Sequence, residues 1–161
     1  MSIEPWYYER MDPQAVNWIQ VELHVSDVQM ALDFYGALGF KTVWHRWEGD
    51  ELDYLVMERE GAILNFWPGQ GHVWGKSYFS QFPRTSKPGY GVEIVIGVKD
   101  IEAYYEKVKV VANIVDTLKL RPWGLKDFRI EDPFGYYLRM TQPYDVTNPK
   151  WAAPKKPKRA H

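Results

Sequence analysis

The chain contains no cysteine among its 161 residues, which excludes a disulfide framework, a zinc–thiolate site and a thiol nucleophile. It also lacks an excess of charge of either sign, because the net charge is −1, and we expect no general attraction to nucleic acid or to an anionic membrane. No apolar run approaches the roughly 20 residues that a membrane-spanning helix needs. The start of the chain has neither the basic nor the apolar block of a secretory signal, so a soluble, cytoplasmic protein is the expectation.

Histidine and the common catalytic motifs are also scarce. The histidines fall where no two share ligand spacing on one predicted element: His24, His45, His72 and His161. No phosphate-binding glycine loop leads into a clear helix, and no serine sits in a nucleophile elbow. These absences give no sign of a histidine metal centre, a nucleotide cofactor or a serine hydrolase, and we predict no cofactor.

Aromatic residues, by contrast, are abundant. They make up 16% of the chain, with eight tryptophans and eleven tyrosines, which is more than packing alone usually requires. Three lie on or near predicted strands and three in predicted loops: Trp44, Trp67 and Tyr137, and Trp74, Tyr78 and Trp123. Core packing explains some of them. A tryptophan in a loop rich in Gly and Ser needs a pocket or a partner to bury it, so we interpret these rings as candidates for ligand contact.

The strongest pattern is an internal duplication. Residues 122–140 predict a β-hairpin, because alternating strands flank an Asp-Pro-Phe-Gly turn. The end of this hairpin, 135–140, aligns with 61–66, and 93–101 aligns with 20–28 at nearly the same offset. Two matches in one order and at nearly one spacing indicate two tandem modules rather than coincidence.

Each module is predicted to contain a strand, a helix and three further strands. In the first strand, 18–25, alternation separates the apolar residues from three polar ones on the opposite face: Gln20, Glu22 and His24. Ser26 is the expected N-cap of the helix that follows, with Gln29 completing a capping box. The helix should cover the apolar face of the strand, which leaves the polar face open.

The predicted organisation has five parts: an arm at 1–17, a first module at 18–67, a connection at 68–90, a second module at 91–141 and a tail rich in Pro and Lys at 142–161. The connection is long for a joint within a compact domain. Its glycines permit movement and its aromatics provide apolar surface, so we predict a mobile wall of a ligand site. The alternative is that its aromatics fill a dimer interface.

The modules carry the motifs of a known superfamily. The strongest signs are the run from Val25-Ser26-Asp27 through Phe34-Tyr35 to Leu38-Gly39-Phe40, and Asp132-Pro133-x-Gly135. On these motifs the chain resembles the vicinal oxygen chelate superfamily, which includes glyoxalase I, extradiol dioxygenases, fosfomycin-resistance enzymes and bleomycin-resistance proteins. The branch that it resembles most, through Pro122-Trp123-Gly124 and Phe128, is the bleomycin-resistance branch. The resemblance implies an α+β fold of two tandem βαβββ modules, which form an open cup-shaped mixed sheet with helices on the outer face.

The resemblance also marks the metal-ligand positions of the superfamily's enzymes, one on each of four strands lining the cup: Gln20, Asn65, Glu93 and Arg139. A guanidinium stays protonated, offers no lone pair and repels a divalent cation. Since the metal enzymes usually have Glu at the position of Arg139, we predict no bound metal. We expect Arg139 to take the place of the metal and to pair with Glu93 across the cup.

These features predict a metal-independent binding protein of the bleomycin-resistance type, which holds an aromatic or amphipathic small molecule such as an antibiotic or toxic metabolite. The predicted ligand contacts are Gln20, Glu22, His24, Trp44, Asn65, Trp67, Trp74, Tyr78, Glu93, Trp123, Tyr137 and Arg139. The alternative is a lyase, isomerase or dioxygenase of the same superfamily, with His24 and Glu93 as catalytic candidates. A third interpretation is an accessory domain that binds another protein through its arm and tail. Open cups and exposed strand edges, together with the resemblance, predict a homodimer.

Overall fold

The computed structural model describes residues 20–69, 78–145 and 147. The predicted arm, Trp74 and nearly all of the predicted tail beyond residue 145 lie outside these described residues. Within them, no helix has both the length and the apolar character needed to cross a membrane.

The first module is a four-stranded mixed sheet with one helix. Its elements are β1 (Glu22–Val25), α1 (Val28–Ala37), β2 (Lys41–Glu48), β3 (Glu51–Arg59) and β4 (Ala62–Pro68). The strand order is β1-β4-β3-β2. β1 runs parallel to β4, and the other two pairs are antiparallel. The parallel pair follows from the helix, because α1 and the β2–β3 hairpin carry the chain back before β4 begins.

The second module repeats this topology. Its elements are β5 (Ile94–Gly97), α2 (Ile101–Val108), β6 (Asn113–Leu120), β7 (Lys126–Glu131) and β8 (Tyr137–Thr141). The strand order is β5-β8-β7-β6, again with one parallel and two antiparallel pairs. The predicted α+β fold of two tandem βαβββ modules is therefore confirmed, with the strands in two four-stranded sheets.

The helix caps correct one expectation. Asp27, and not Ser26, is the N-cap of α1: its backbone is extended and its Oδ1 accepts a hydrogen bond from the Met30 N–H at 2.9 Å. Gln29 donates to Asp33 at 3.0 Å instead of completing a capping box. The helix begins one residue later than predicted because a carboxylate accepts hydrogen bonds strongly and is favoured by the positive end of the helix dipole.

One hydrophobic core joins the two modules. Its residues come from one face of each sheet and from both helices. Two tyrosines, Tyr35 fully buried and Tyr104 half-buried, tie each helix to the opposite module. The Tyr35 hydroxyl donates to Asp132 at 2.9 Å, and the Tyr104 hydroxyl donates to the Leu38 carbonyl at 2.8 Å. The core and the helices take one face of each sheet, which we call the inner face. The opposite face of each sheet, which we call the outer face, carries neither α1 nor α2 and remains for function.

The Asp-Pro-Phe-Gly turn between β7 and β8 organises the contact between the modules. Asp132 is only 4% exposed, and it accepts hydrogen bonds from the Phe134 and Tyr136 N–H groups at 2.9 and 2.8 Å as well as from Tyr35. Gly135 has a φ of +98°, which few other residues adopt without strain. Burial raises the pKa of Asp132, an effect that its hydrogen bonds oppose. The turn that the sequence predicted therefore also supplies, through Asp132, the hydrogen-bond acceptor for Tyr35 of α1.

Candidate functional site

The outer face of the first sheet brings together several of the predicted ligand contacts. Alternation along β1 buries Leu23 and Val25 in the core, and Glu22 and His24 therefore lie on the opposite face. The parallel register pairs Glu22 with Asn65 and His24 with Trp67. Four of the predicted residues are thus neighbours on one surface because of strand register alone.

Aromatic rings dominate this surface. Trp44 on β2 and Tyr54 on β3 meet edge to face with ring centroids 5.8 Å apart, and the Tyr54 hydroxyl donates to Glu22 at 2.7 Å. His24 and Trp67 also meet edge to face, at 4.9 Å. All four rings are half-buried. We call His24, Trp44, Tyr54 and Trp67 the aromatic face.

His24 is the polar group at the centre of these contacts. Its ring lies between Trp67 and Phe79, the latter at 5.4 Å. Burial lowers the pKa of His24, while the nearby Glu22 carboxylate acts in the opposite direction. Its Nδ1 is buried and has no hydrogen-bond partner within the described ranges. A neutral imidazole with one unused nitrogen can donate a hydrogen bond to a bound molecule or accept one from it.

The outer face of the second sheet is ionic rather than aromatic. The predicted pair is present: Arg139 Nη1 lies 3.5 Å from Glu93 Oε2. Sequence reasoning missed a second arginine, because Arg129 Nε lies 3.2 Å from the other oxygen of Glu93. Charged and apolar residues alternate along β7, and this pattern could have identified Arg129 as a residue of the outer face. The register pairs Arg129 with Arg139 on β8.

Arg129 belongs to a larger network. Its Nη1 reaches Asp127 at 2.6 Å and Asp116 at 3.5 Å. Arg121 reaches the same two carboxylates at 2.5 and 2.7 Å. Asp127 is fully buried, so its charge depends on these two guanidiniums. Hydrogen bonds from Lys119 and Arg121 lower the pKa of Asp116. We call Glu93, Asp116, Arg121, Asp127, Arg129 and Arg139 the charged face.

A groove follows the free edge of β1 and reaches the connection between the modules. Its volume is about 970 Å³, and its lining includes Phe79, Phe82, Phe134 and Tyr136. The Tyr136 hydroxyl donates to the His24 carbonyl at 2.9 Å, so the second module closes one end of the edge. Described residues of the connection, Phe79 and Phe82 among them, therefore line a cavity, while its role as a mobile wall of a ligand site stays a prediction. Sequence reasoning did not select Phe82, Phe134 or Tyr136, although each is an aromatic in a loop or at a strand start.

The family of the chain can now be stated. Residues 16–140 match the family model of the Glyoxalase/Bleomycin resistance protein/Dioxygenase superfamily. The chain belongs to this superfamily. No curated protein matches the chain at a significant level.

Several solved structures share the superfamily fold. TioX from Micromonospora sp. ML1 superposes with a TM-score of 0.62 at 21% identity, covering 77% of this chain and 96% of that one. The bleomycin resistance determinant encoded on transposon Tn5 gives 0.55 at 21% identity, covering 81% and 100%. A bleomycin-binding protein complexed with bleomycin gives 0.52 at 19% identity, covering 80% and 100%. At these identities the likeness shows the fold alone.

The metal-ligand positions of the superfamily do not form a metal site in this chain. Asn65 Nδ2 donates to Gln20 Oε1 at 3.4 Å in the first sheet, while Glu93 pairs with Arg139 in the second. The second pair contains a cation, and a guanidinium has no lone pair for a metal. Among the described residues, no three His, Cys, Asp or Glu side chains are grouped so that they could hold a metal ion. The donor set does not fit a divalent cation.

The remaining predicted contacts are dispersed within the superfamily fold. Tyr137 lies on the outer side of β8 and lines a smaller cavity of about 420 Å³. Tyr78 is 71% exposed in a 3-10 helix, Tyr78–Gln81, where its ring meets Phe79 and Phe82. Trp74 lies outside the described residues.

The prediction that Trp123 faces the cup stays a prediction. Trp123 lies in the β6–β7 turn, is 46% exposed and lines neither of these two cavities. β6 is the outermost strand of its sheet, at the edge opposite β5.

Proposed function

We propose that the protein is a metal-independent small-molecule binding protein of the bleomycin-resistance type, which holds an aromatic or amphipathic ligand against the aromatic face. The observation that carries the proposal is that the four rings of this face lie opposite the core and remain half-buried. Rings needed only for packing would lie on the inner face with Phe66 and Tyr35. A surface of this kind gains stability when a planar molecule covers it.

The expected affinity follows from the contacts available. A well-oriented aromatic pair contributes about 0.5–1.5 kcal/mol beyond area burial. Burial of about 150 Å² of apolar surface adds roughly 4 kcal/mol at 25 cal/mol per Å². Three ring contacts with such burial sum to roughly 5–8 kcal/mol, and the cost of immobilising the ligand reduces this sum, so we expect a dissociation constant on the order of a millimolar, approaching micromolar only where further contacts add to it. Neither covalent nor metal chemistry is required for this affinity.

We further propose that the protein is a homodimer. β2 and β6 are sheet edges, and both expose apolar side chains: Val43 and Trp47 on β2, and Val115 and Leu120 on β6. Unpaired edges with apolar side chains are stabilised by a partner. A second chain would also enclose outer faces that one chain leaves open. Light scattering should give twice the chain mass of 19.0 kDa, and a monomer at micromolar concentration would contradict this.

The binding proposal is tested by calorimetric titration of the EDTA-treated protein with bleomycin and a set of planar bicyclic compounds. We expect at least one compound to bind with a dissociation constant of about a millimolar or below. Trp67→Ala removes a ring of the aromatic face and should weaken binding about tenfold. Trp123→Ala removes an exposed ring in a remote turn and is the matched control, with affinity unchanged. Equal losses in both variants, or no binding by the parent, would overturn the proposal.

A further inference from the structure

The three arginines of the charged face differ in how well their charges are satisfied. Arg121 makes two close contacts, at 2.5 and 2.7 Å, with Asp127 and Asp116. Arg129 makes contacts at 2.6, 3.2 and 3.5 Å with three carboxylates. Arg139 makes a 3.5 Å contact with Glu93 and a 3.4 Å contact with the Tyr144 hydroxyl. Both distances lie at the outer limit of a hydrogen bond.

Arg139 therefore has donor capacity to spare. Its side chain is 17% exposed, and its Nε is buried without a hydrogen-bond partner in the part of the chain that the structure describes. A guanidinium carries five N–H donors in a fixed fork, and this fork matches the two oxygens of a carboxylate. A buried donor without an acceptor costs free energy, so an incoming anion would satisfy a group that the protein leaves unsatisfied.

The charge count of the network agrees with this view. The charged face has three guanidiniums and three carboxylates, and Lys119 adds one more positive charge through its contact with Asp116 at 2.7 Å. The network therefore carries one positive charge in excess, which favours an anion on this face but does not by itself place the anion at Arg139. The place is given by the weak contacts and the unused donor of Arg139.

We propose that Arg139 binds the carboxylate of an aromatic or apolar carboxylic acid, with Glu93 as the occupant that the ligand displaces. The inference goes beyond the proposed function, because it places an anionic aromatic ligand on the charged face of the second sheet, whereas the proposed function concerns the aromatic face of the first. Glu93 can leave Arg139 without becoming an unpaired charge, since its other oxygen stays 3.2 Å from Arg129. The apolar part of the ligand is accommodated by neighbours on the same face: Val95, the register partner of Arg139 on β5, and Tyr137, two residues earlier on β8.

Naphthalene-2-carboxylic acid and its carboxamide are suitable probes, because they have the same shape and differ in charge. Calorimetry should show that the parent binds the acid at least tenfold more tightly than the amide, with a preference that falls as salt is added. Arg139→Gln should abolish the preference and Arg139→Lys should retain part of it. Glu93→Gln should strengthen binding of the acid several-fold and leave binding of the amide unchanged, because it removes the competing carboxylate.

Lys119→Gln is the matched control for charge alone. It removes one positive charge from the same network at an exposed position, and the preference for the acid should persist. Side-chain NMR of the parent provides a readout that needs no variant: the Arg139 Nε–H resonance should shift when the acid is added and stay unchanged with the amide. Equal loss of the preference for the acid in the Lys119→Gln and Arg139→Gln variants would overturn the inference. So would an Arg139 Nε–H resonance that does not shift when the acid is added.

The outcomes separate the inference from the proposed function. Equal binding of the acid and the amide would overturn the role of Arg139 and leave a binding protein for uncharged aromatics. Failure of both probes while other planar compounds bind would overturn the inference alone. Failure of every aromatic compound would overturn both.

Discussion

The buried carboxylate of Asp132 should be among the most important single groups for stability. It accepts hydrogen bonds from the Tyr35 hydroxyl and from two peptide N–H groups of its own turn, at 2.8 to 2.9 Å. Asp132→Ala leaves all three donors without this acceptor. A buried donor left without a partner costs about 1–3 kcal/mol. Water can reach part of the turn, and removing a buried charge offsets part of the loss, so we expect destabilisation of about 3–4 kcal/mol.

The contribution of the Tyr35–Asp132 hydrogen bond to the free energy of unfolding can be measured separately. Tyr35→Phe removes one hydrogen bond and leaves the two turn bonds in place, so it should cost about 1–2 kcal/mol. A double-mutant cycle should then give a coupling of about 1–2 kcal/mol between the two side chains. Urea unfolding monitored by circular dichroism measures all three variants. Asp145→Ala is the control, because among the described residues that carboxylate accepts hydrogen bonds from the neighbouring Thr147 and from no part of the core.

Asp132 also makes the stability of the fold depend on pH, and the direction of its pKa shift fixes the sign of this dependence. The folded state raises the pKa of Asp132 above its ordinary value of 3.8. The stability from this shift is therefore complete below the unfolded pKa and is lost as the pH rises through the folded pKa. Asp132→Asn cannot ionise and should show a flatter profile over that window. An Asp132→Ala variant within 1 kcal/mol of the parent, or a profile of opposite sign, would refute the reasoning.

Three further predictions follow from named contacts. Gly89→Ala should destabilise the fold by about 1–3 kcal/mol in urea unfolding, because the new Cβ would lie 2.8 Å from the Tyr136 ring at a φ of +68°. Gly91→Ala is its control: φ is +83° but no atom of the described residues lies near the new Cβ, so the cost should be only about 1 kcal/mol. Burial lowers the pKa of His24, so its contribution to stability is present above pH 6.5 and should be lost as the pH falls through its folded pKa, an effect that His24→Gln removes. Asp127→Ala should cost about 2–4 kcal/mol in the same urea assay, because it removes the closest carboxylate from two guanidiniums that then keep only their longer contacts, with Asp116 and Glu93.

Local sequence patterns predicted most of the fold. The internal duplication, the alternation along β1 and the Asp-Pro-Phe-Gly turn predicted the two modules and the succession of strands and helix along each, because these patterns are local. The order of the strands within each sheet was not predicted. The glycine at position 89 shows the limit of such patterns. The glycines of the connection, Gly89 among them, predicted a mobile segment. The structure packs Gly89 against the Tyr136 ring, and only this contact with a residue distant in sequence explains why a glycine is needed there.

The candidate site was less predictable, since it depends on partners that are distant in sequence. The pairing of Glu93 with Arg139 could be inferred from the superfamily resemblance, which marks both as metal-ligand positions. The competing contact from Arg129 could not, because it depends on which strand neighbours β8. The position of the Trp123 turn at a sheet edge could not be predicted for the same reason. A hairpin turn can belong to the centre or the edge of a sheet, and local sequence does not distinguish them.

Native mass spectrometry of the EDTA-dialysed protein, with a planar aromatic ligand added, tests the central claim most directly. It reports the number of chains, bound metal and bound ligand in one spectrum. The account predicts a metal-free dimer of 19.0 kDa chains that forms ligand adducts, which weaken in Trp67→Ala and persist in Trp123→Ala. A transition metal retained at one ion per chain, or adducts that form only when metal is restored, would contradict it.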